Sequence, residues 1–385
     1  MSDGRKRPEN HFCGMLIIRK EPGYTSSDVV AKLRGILHMR RIGHTGTLDP
    51  MAEGVLPVCL GNATKLADFI ADRDKEYIAR LRLGVTTDTQ DMTGTVREEK
   101  SAQEVREILL RNAAPGEGTA AHDVGAFGFP DASQNVDASQ FPDPAVTEAG
   151  LSGASGPEPD AVCLRAVRDA ASRFVGEIEQ IPPMYSAVWS NGKRLYDLAR
   201  KGVTVERTPR RVVISELEIQ SADLPCVTLR VVCSKGTYIR TLCEDLGSAL
   251  GTGGAMEHLL RTRVGTFTLD DALTLGEVQR LAQENPEDLP AGSGDCIENH
   301  IIPVDRFFAE APAVHVRDED LKFLQNGNPL SGANTLEGCI PHAERVRVYD
   351  ARGEFYALYR YEKSRRRILP VKMFHDTESV RHDRQ

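Results

Sequence analysis

The densest run of reactive side chains in this 385-residue sequence is a short polar loop, GHTGTLDP, at residues 43–50. It brings His44, Thr45, Thr47 and Asp49 together between glycines and a proline. Because a proline disfavours helical backbone at the preceding residue, the Asp49 carboxylate can project from the loop. The ordinary alternative for an Asp-Pro pair is an Asx turn. The loop therefore offers one carboxylate that could act as a nucleophile, a base or an electrostatic stabiliser.

A second polar run, SKGTYIRT at residues 234–241, passes through Gly236 from a strand pattern into a helical one. Tyr238 and Arg240 are expected in the first helical turn. An arginine there is unfavourable for the helix dipole, which indicates that a carboxylate or phosphate compensates its charge. A plain surface arginine is the alternative for this run taken alone.

Several familiar catalytic and cofactor motifs are missing from the sequence. It contains no G-x-x-x-x-G-K-[ST], no G-x-G-x-x-G after a strand, no H-E-x-x-H and no G-x-S-x-G. The eight cysteines form no C-x-x-C pair, so neither a zinc site nor a disulfide framework is indicated. We therefore expect no metal and no cofactor.

Apolar periodicity predicts the elements that position the two runs. Strands are predicted at residues 14–20, 54–61, 76–83, 212–219 and 227–233, and helices at about 26–39, 64–72, 101–111, 166–175, 237–250 and 275–283. Residues 76–83 alternate as a half-buried strand, with Tyr77 on the mainly apolar face. Strands and helices mix without strict βαβ alternation, which favours an α+β fold. Beyond residue 303 the pattern changes to short strands and glycine turns, which predicts a small mostly-β module at residues 303–385 after a domain at residues 1–302.

The overall composition is that of an ordinary globular protein, with 40% hydrophobic and 27% charged residues. No apolar run is long enough to span a bilayer, and the first residues lack the apolar core of a secretory leader. We therefore expect a cytoplasmic protein without a membrane partner.

The formal charge of −8 is unevenly distributed. Residues 112–163 contain eight Asp and Glu and no Lys or Arg, in a composition typical of a disordered surface insertion; a poorly patterned small domain is the alternative. Residues 345–372 contain nine Lys and Arg against three Asp and Glu, interleaved with tyrosines and a phenylalanine. That mixture suits a groove for phosphates and unstacked bases, although a solvated strand face is the more common meaning.

Taken together, these segments resemble the bacterial tRNA pseudouridine synthase B family. The resemblance rests on ordered blocks over residues 14 to about 268: GHTGTLDPMAEGVLPVCLGNATK (43–65), KEY (75–77) with RLG (82–84), TTDTQDMTG (86–94), QIPPMYSA (180–187), GKRLYDLAR (192–200) and SKGTYIRT (234–241). A weaker block, LQNGNP at residues 324–329, resembles a PUA-like module. The chain departs from the family in the acidic insertion and in Arg261-Thr262-Arg263.

The resemblance implies a pseudouridine synthase fold, with a mixed, largely antiparallel sheet, flanking helices and a C-terminal PUA-like RNA-binding module. It implies an isomerase that converts uridine 55 in the T loop of tRNA to pseudouridine without a cofactor. We expect the protein to be a monomer. Such an enzyme breaks the N1–C1′ bond, turns the base and joins C5 to C1′. A carboxylate could attack or stabilise C1′, attack the ring or act as a base, and the sequence leaves these routes open.

Residue by residue, the resemblance makes Asp49 the essential carboxylate, with Arg240 as its bidentate partner. Tyr77 would stack on the target base and could help to remove the C5 proton. The uridine must leave its stack, and His44 is a candidate for holding the flipped arrangement. The remaining substrate-binding candidates are Lys20, Tyr238 and Leu260, and residues 184–210 would form a mobile basic arm over the RNA.

Two other function classes remain as alternatives. A non-catalytic RNA-binding protein would explain the basic segments but would not require Asp49 together with Tyr77 and Arg240. A glycoside hydrolase would need a second carboxylic acid at a defined separation and a stacking-rich sugar cleft, and the chain has only one tryptophan.

Overall fold

The computed structural model describes residues 12–113, 159–190, 192–283 and 296–375. Its helices are α1 (Ser26–Ile36), α2 (Ala67–Ala71), α3 (Ala102–Ala113), α4 (Pro159–Ser172), α5 (Leu195–Ala199), α6 (Ile239–Ala249), α7 (Leu275–Gln283) and α8 (Leu321–Gln325). Its strands are β1 (Gly14–Lys20), β2 (Ile42–His44), β3 (Glu53–Leu60), β4 (Lys75–Leu83), β5 (Val85–Thr87), β6 (Val96–Glu99), β7 (Gly176–Gln180), β8 (Trp189–Ser190), β9 (Lys193–Arg194), β10 (Arg210–Asp223), β11 (Cys226–Cys233), β12 (Gly254–Val264), β13 (Phe267–Thr268), β14 (Ala313–His315), β15 (Val346–Tyr349), β16 (Phe355–Glu362) and β17 (Arg367–Met373).

Nine strands form the main sheet, in the order β1-β3-β12-β4-β11-β10-β7, with β2 beside β3 and β13 beside β12. Every pair is antiparallel except β3 with β12. The expected mixed, largely antiparallel sheet is therefore confirmed. A second sheet, β14-β15-β16-β17, lies in the C-terminal part of the chain.

Helices cover one face of the main sheet. Helices α3, α4 and α6 pack their apolar side chains on β4, β11 and β12, while α1 and α7 pack on β1 and β3. Residues 75–79 of β4 are buried on both faces of the sheet, whereas residues 80–83 alternate between partly exposed and buried side chains. The half-buried strand predicted from the alternation is therefore found only in the second half of β4. Tyr77 is on the helix-covered face, 8% exposed.

Helix α1 illustrates how local sequence fixes an element. Thr25 caps it and Asp28 completes a capping box, as the cluster of Ser, Thr and Asp predicted. The helix ends at Ile36 rather than near Met39, because His38 adopts a left-handed backbone conformation with φ of 50°.

The second sheet is joined to the main one by a shared apolar cluster. Met15 and Ile17 of β1 pack with Phe308, Leu358 and Phe374, and Met15 exchanges two backbone hydrogen bonds of 2.8 Å with Ile302. In the second sheet, Tyr349, Tyr356 and Tyr359 are buried. The tyrosines interleaved with basic residues at 345–372 are therefore mainly core residues and not a surface for stacking bases.

Most of the acidic segment predicted as an insertion, residues 112–163, lies outside the described residues. Its two ends are helical, since α3 continues to Ala113 and α4 begins at Pro159. These helices pack together, with Arg106 within 3.3 Å of Asp160. In the described part of the chain, no helix is long and apolar enough to cross a membrane.

Candidate active site

The loop that carries Asp49 connects β2 to β3, and hydrogen bonds from β1 and α1 hold it in place. The buried Nζ of Lys20, the last residue of β1, donates to the carbonyls of Pro50 (3.1 Å) and Ala52. Ser26, the first residue of α1, accepts a 2.9 Å hydrogen bond from the amide of Leu48. The backbone on both sides of Asp49 is therefore fixed, and its side chain remains 32% exposed.

Arg240, the second residue of α6, contacts Asp49 at two points. Its Nε lies 2.9 Å from Asp49 Oδ2, and its Nη2 donates to Oδ1 over 3.1 Å. Such a two-point contact fixes both the position and the plane of a carboxylate. Burial raises the pKa of the Asp49 carboxyl, and the Arg240 charge opposes that shift. The pairing expected from the sequence, between residues on distant parts of the chain, is present.

The guanidinium of Arg240 also donates hydrogen bonds to two other loops. Nη1 donates to the carbonyl of Thr89 (3.2 Å) and lies 3.5 Å from Asp91 Oδ2, and Nη2 also donates to the carbonyl of Tyr185 (2.9 Å). Arg240 is only 5% exposed, so these contacts define one orientation. The Asp49 loop, the turn at Asp91 and the start of residues 184–210 therefore meet at one side chain.

Asp91 is a site residue that the sequence reasoning missed. It is buried, and its Oδ1 accepts hydrogen bonds from Thr89 Oγ1 (2.8 Å) and from the amide of Thr93 (3.0 Å). Its charge raises the pKa of Asp49. The block TTDTQDMTG contains it, but that block has two acidic residues and only the fold shows which one faces Arg240.

Tyr77 and Lys20 lie on the same face of the sheet as the Asp49 loop. Burial raises the pKa of the Tyr77 phenol, and Asp49 adds to the shift. Burial lowers the pKa of Lys20 to about 8, against the opposing charges of Asp49 and Glu53. The structure thus brings Lys20, Asp49, Tyr77 and Arg240 together.

His44 and Tyr238 flank this group. His44 ends β2, its ring Nδ1 is buried without a hydrogen-bond partner, and burial lowers its pKa, which favours the neutral ring. Tyr238 caps α6, and its backbone N–H and carbonyl bind the buried side-chain amide of Gln180 at 2.9 and 3.2 Å. Gln180, which the sequence reasoning did not single out, thereby fixes the start of the helix that carries Arg240.

Leu260 is placed differently from the other predicted residues. It pairs with Ile78 across β12 and β4, whereas its neighbour Arg261 pairs with Tyr77. Because successive side chains of a strand point to opposite faces, the Leu260 side chain lies on the face opposite Tyr77. The structure does not bring this side chain into the Asp49 site.

The geometry matches that of a carboxylate presented to an external substrate. Asp49 is oriented by a buried cation and remains partly exposed, and Tyr77 lies close enough for the Asp49 charge to raise the pKa of its phenol. A second carboxylate, Asp91, is directed at Arg240 and is buried, so it cannot serve as the exposed partner acid that a glycoside hydrolase needs.

Comparisons with known families give two matches along the chain. A family described as "TruB family pseudouridylate synthase (N terminal domain)" matches residues 34–116 and 151–239. A second, described as "tRNA pseudouridylate synthase B C-terminal domain", matches residues 240–309.

Curated relatives match over nearly the whole chain. A protein named tRNA pseudouridine synthase B from Lachnoclostridium phytofermentans is 39% identical over 372 residues, covering 94% of this chain and 99% of the relative. The protein of the same name from Bacillus pumilus is 33% identical, covering 94% of this chain and 97% of the relative.

Among solved structures, a Cbf5-Nop10-Gar1 complex contains a chain that matches with a TM-score of 0.57 and 22% identity, covering 95% of this chain and 86% of the other. An H/ACA RNP bound to a substrate RNA containing 2′-deoxyuridine gives a TM-score of 0.56, also at 22% identity, covering 94% of this chain and 85% of the other. At this identity the likeness concerns the fold alone.

Proposed function

The chain belongs to the TruB family of pseudouridylate synthases, and from that premise we propose that it isomerises uridine 55 in the T loop of tRNA to pseudouridine. The observation that carries the proposal is the Asp49–Arg240 pair. It is a partly exposed carboxylate, held at two points, beside Tyr77 on a fold whose relatives of nearly full length are named tRNA pseudouridine synthase B.

Asp49 is the essential carboxylate in this proposal. When the N1–C1′ bond breaks, its electron pair remains with the uracil and C1′ becomes electron-poor. The base then turns while held in the site, C5 bonds to C1′, and the C5 proton is removed. Attack at C1′, attack on the ring and base catalysis all require Asp49 to be ionised, which is what Arg240 favours.

The neighbouring residues would hold the substrate. Tyr77 packs against the target base, and a neutral His44 ring helps to hold the flipped nucleotide arrangement. Tyr238, at the start of α6, lies at the edge of the proposed substrate site. Lys20 keeps the Asp49 loop in place by donating hydrogen bonds to backbone carbonyls of that loop. Leu260 is left out of these side-chain contacts because it lies on the other face of the sheet.

We propose two RNA-binding regions outside this site. In the arm of residues 184–210, Lys193, Arg194 and Lys201 are exposed, and Trp189 is 65% exposed with Arg194 over its ring. In the module of residues 303–385, four cations (Lys363, Arg365, Arg366 and Arg367) are exposed between and beside β16 and β17. Both regions suit phosphate contacts. The proposed enzyme works as a cytoplasmic monomer on free tRNA, without cofactor.

The direct test is incubation of the protein with an unmodified tRNA transcript, followed by mapping of pseudouridine. We expect pseudouridine at position 55 of the T loop and none in a transcript with cytidine at that position. Binding of the transcript without any pseudouridine would favour a non-catalytic RNA-binding protein and contradict the proposal.

A further inference from the structure

The most unusual buried side chain near the site belongs to Arg261 on β12. It is 2% exposed, and its Nε donates to the carbonyl of Val55 over 2.7 Å. Its Nη1 would lie 3.6 Å from a Cβ atom added to Gly46, so the guanidinium sits directly beneath the GHTGTLDP loop. Arg261 is therefore part of the floor on which the Asp49 loop rests.

Part of this guanidinium has no partner. The Nη2 of Arg261 is buried without a hydrogen bond, and in the described residues no carboxylate lies within ion-pair distance of it. A buried cation that lacks a counter-charge is costly. Arg263, two residues further along β12, does have a counter-charge, since its guanidinium lies 3.6 Å from the Glu76 carboxylate. The cost at Arg261 is therefore specific to the position beneath the loop.

The neighbour of Arg261 on the same sheet face is Tyr77. The two residues are direct partners in the β12–β4 register, and directly paired residues of antiparallel strands have adjacent side chains. The Arg261 charge and hydrogen bonding lower the pKa of the Tyr77 phenol, against the larger effect of burial. The guanidinium thus acts on the phenol from within the protein.

We propose that Arg261 is a positioning residue for the isomerisation, which holds the Tyr77 hydroxyl and directs an uncompensated positive charge at it from beneath the loop. This inference rests on the proposed function. When the N1–C1′ bond breaks, negative charge spreads over the detached uracil, and a phenol polarised by a buried cation can stabilise that charge. The cation is fixed before the reaction, so it needs no reorganisation when charge develops.

The test is a double-mutant cycle on single-turnover pseudouridine formation with saturating unmodified tRNA. Arg261→Met keeps most of the side-chain volume and removes the charge. We expect it to slow the reaction at least about 10-fold, as for loss of a group acting in the transition state. The tRNA Kd should not rise, and the melting temperature should change little, because loss of the hydrogen bond to Val55 is offset by removal of an uncompensated buried charge.

The cycle distinguishes an action through Tyr77 from a general structural role. In a Tyr77→Phe background, Arg261→Met should slow the reaction by less than about 2-fold, because coupled residues are not additive. Arg263→Met, which removes a paired arginine from the same strand, is the matched control and should keep the wild-type rate. If Arg261→Met does not fold, Arg261→Gln, which also removes the charge, takes its place, and it should show the same coupling to Tyr77→Phe.

Three results would overturn the inference: an unchanged rate, equal losses in the two backgrounds, or a loss of rate explained by weaker tRNA binding. A wild-type protein that forms no pseudouridine would instead contradict the proposed function itself, so the two failures are distinguishable.

Discussion

Arg240 and Asp49, separated by 190 residues of intervening sequence, are joined by two hydrogen bonds of 2.9 and 3.1 Å in which the guanidinium presents two of its nitrogens to the two carboxylate oxygens. Because Arg240 also binds Thr89 and Tyr185 carbonyls, its orientation is set before any substrate arrives. The pair is therefore a preorganised unit.

The first prediction follows from this two-point contact. Arg240→Lys keeps a charge but loses the planar fork, so it cannot hold both oxygens and the loop carbonyls together. We expect the single-turnover rate to fall by about 100-fold, comparable to loss of an oriented electrostatic group. The tRNA Kd, measured by filter binding, should change little. A large loss of affinity at a preserved rate would assign Arg240 to phosphate binding.

The second prediction concerns Asp91. Since its charge raises the pKa of Asp49, Asp91→Asn should lower that pKa. On the acid side of the pH–rate profile, the pH at which the rate falls should therefore move to a lower value. The maximal rate should also fall, because Arg240 loses one of its partners. Asp88→Asn changes the other acidic residue of the same turn and serves as the control. An acid limb that stays in place, or moves upward, would contradict this account of Asp91.

A third prediction uses the lowered pKa of Lys20, about 8. Below that pH the ammonium is charged, ties down the Asp49 loop and helps to keep Asp49 ionised; above it the charge is lost. The rate should therefore decline as pH rises through about 8. Lys20→Met should be slow throughout and lack this decline.

Lys75 provides the matched control, because its pKa is also lowered to about 8 but its Nζ donates to the carbonyls of Ala71 and Arg73, away from the loop. Lys75→Met should keep the decline near pH 8. If Lys75→Met abolishes the decline and Lys20→Met does not, the assignment to Lys20 is wrong.

The fourth prediction concerns the apolar cluster that joins the two sheets. Phe308 is 4% exposed and packs edge-on against Phe69, with ring centroids 5.5 Å apart. Phe308→Ala should lower the free energy of unfolding by about 3 kcal/mol, as for other buried aromatic truncations. Phe323→Ala, at a position 38% exposed, should change it far less. Equal effects in denaturant titrations would show that the cluster does not couple the sheets.

The sequence predicted those site features that depend on residue type and local pattern. The loop with Asp49, the helix start near Arg240 and the strand with Tyr77 are all visible as motifs, and the family resemblance implies that Asp49 and Arg240 pair. The face of each residue on β12 could not be predicted, because register shifts at Met256/His258 and Arg261/Arg263 set which side chains point toward the loop. For that reason Leu260 was expected in the site and Arg261 was not.

Asp91 and the end of α1 escaped prediction for a related reason. Asp91 gains its role only when its turn is folded against Arg240, a contact between segments far apart in sequence. Helix α1 ends early because His38 takes a left-handed conformation, and the local pattern of apolar residues does not report backbone torsions.

The most direct test of the central claim is single-turnover pseudouridine formation by Asp49→Asn, with tRNA binding measured on the same preparation. The substitution keeps the size of the side chain and removes its charge. We expect no detectable pseudouridine at position 55, with a tRNA Kd close to that of the wild-type protein. Substantial conversion of uridine 55 by Asp49→Asn would contradict the account.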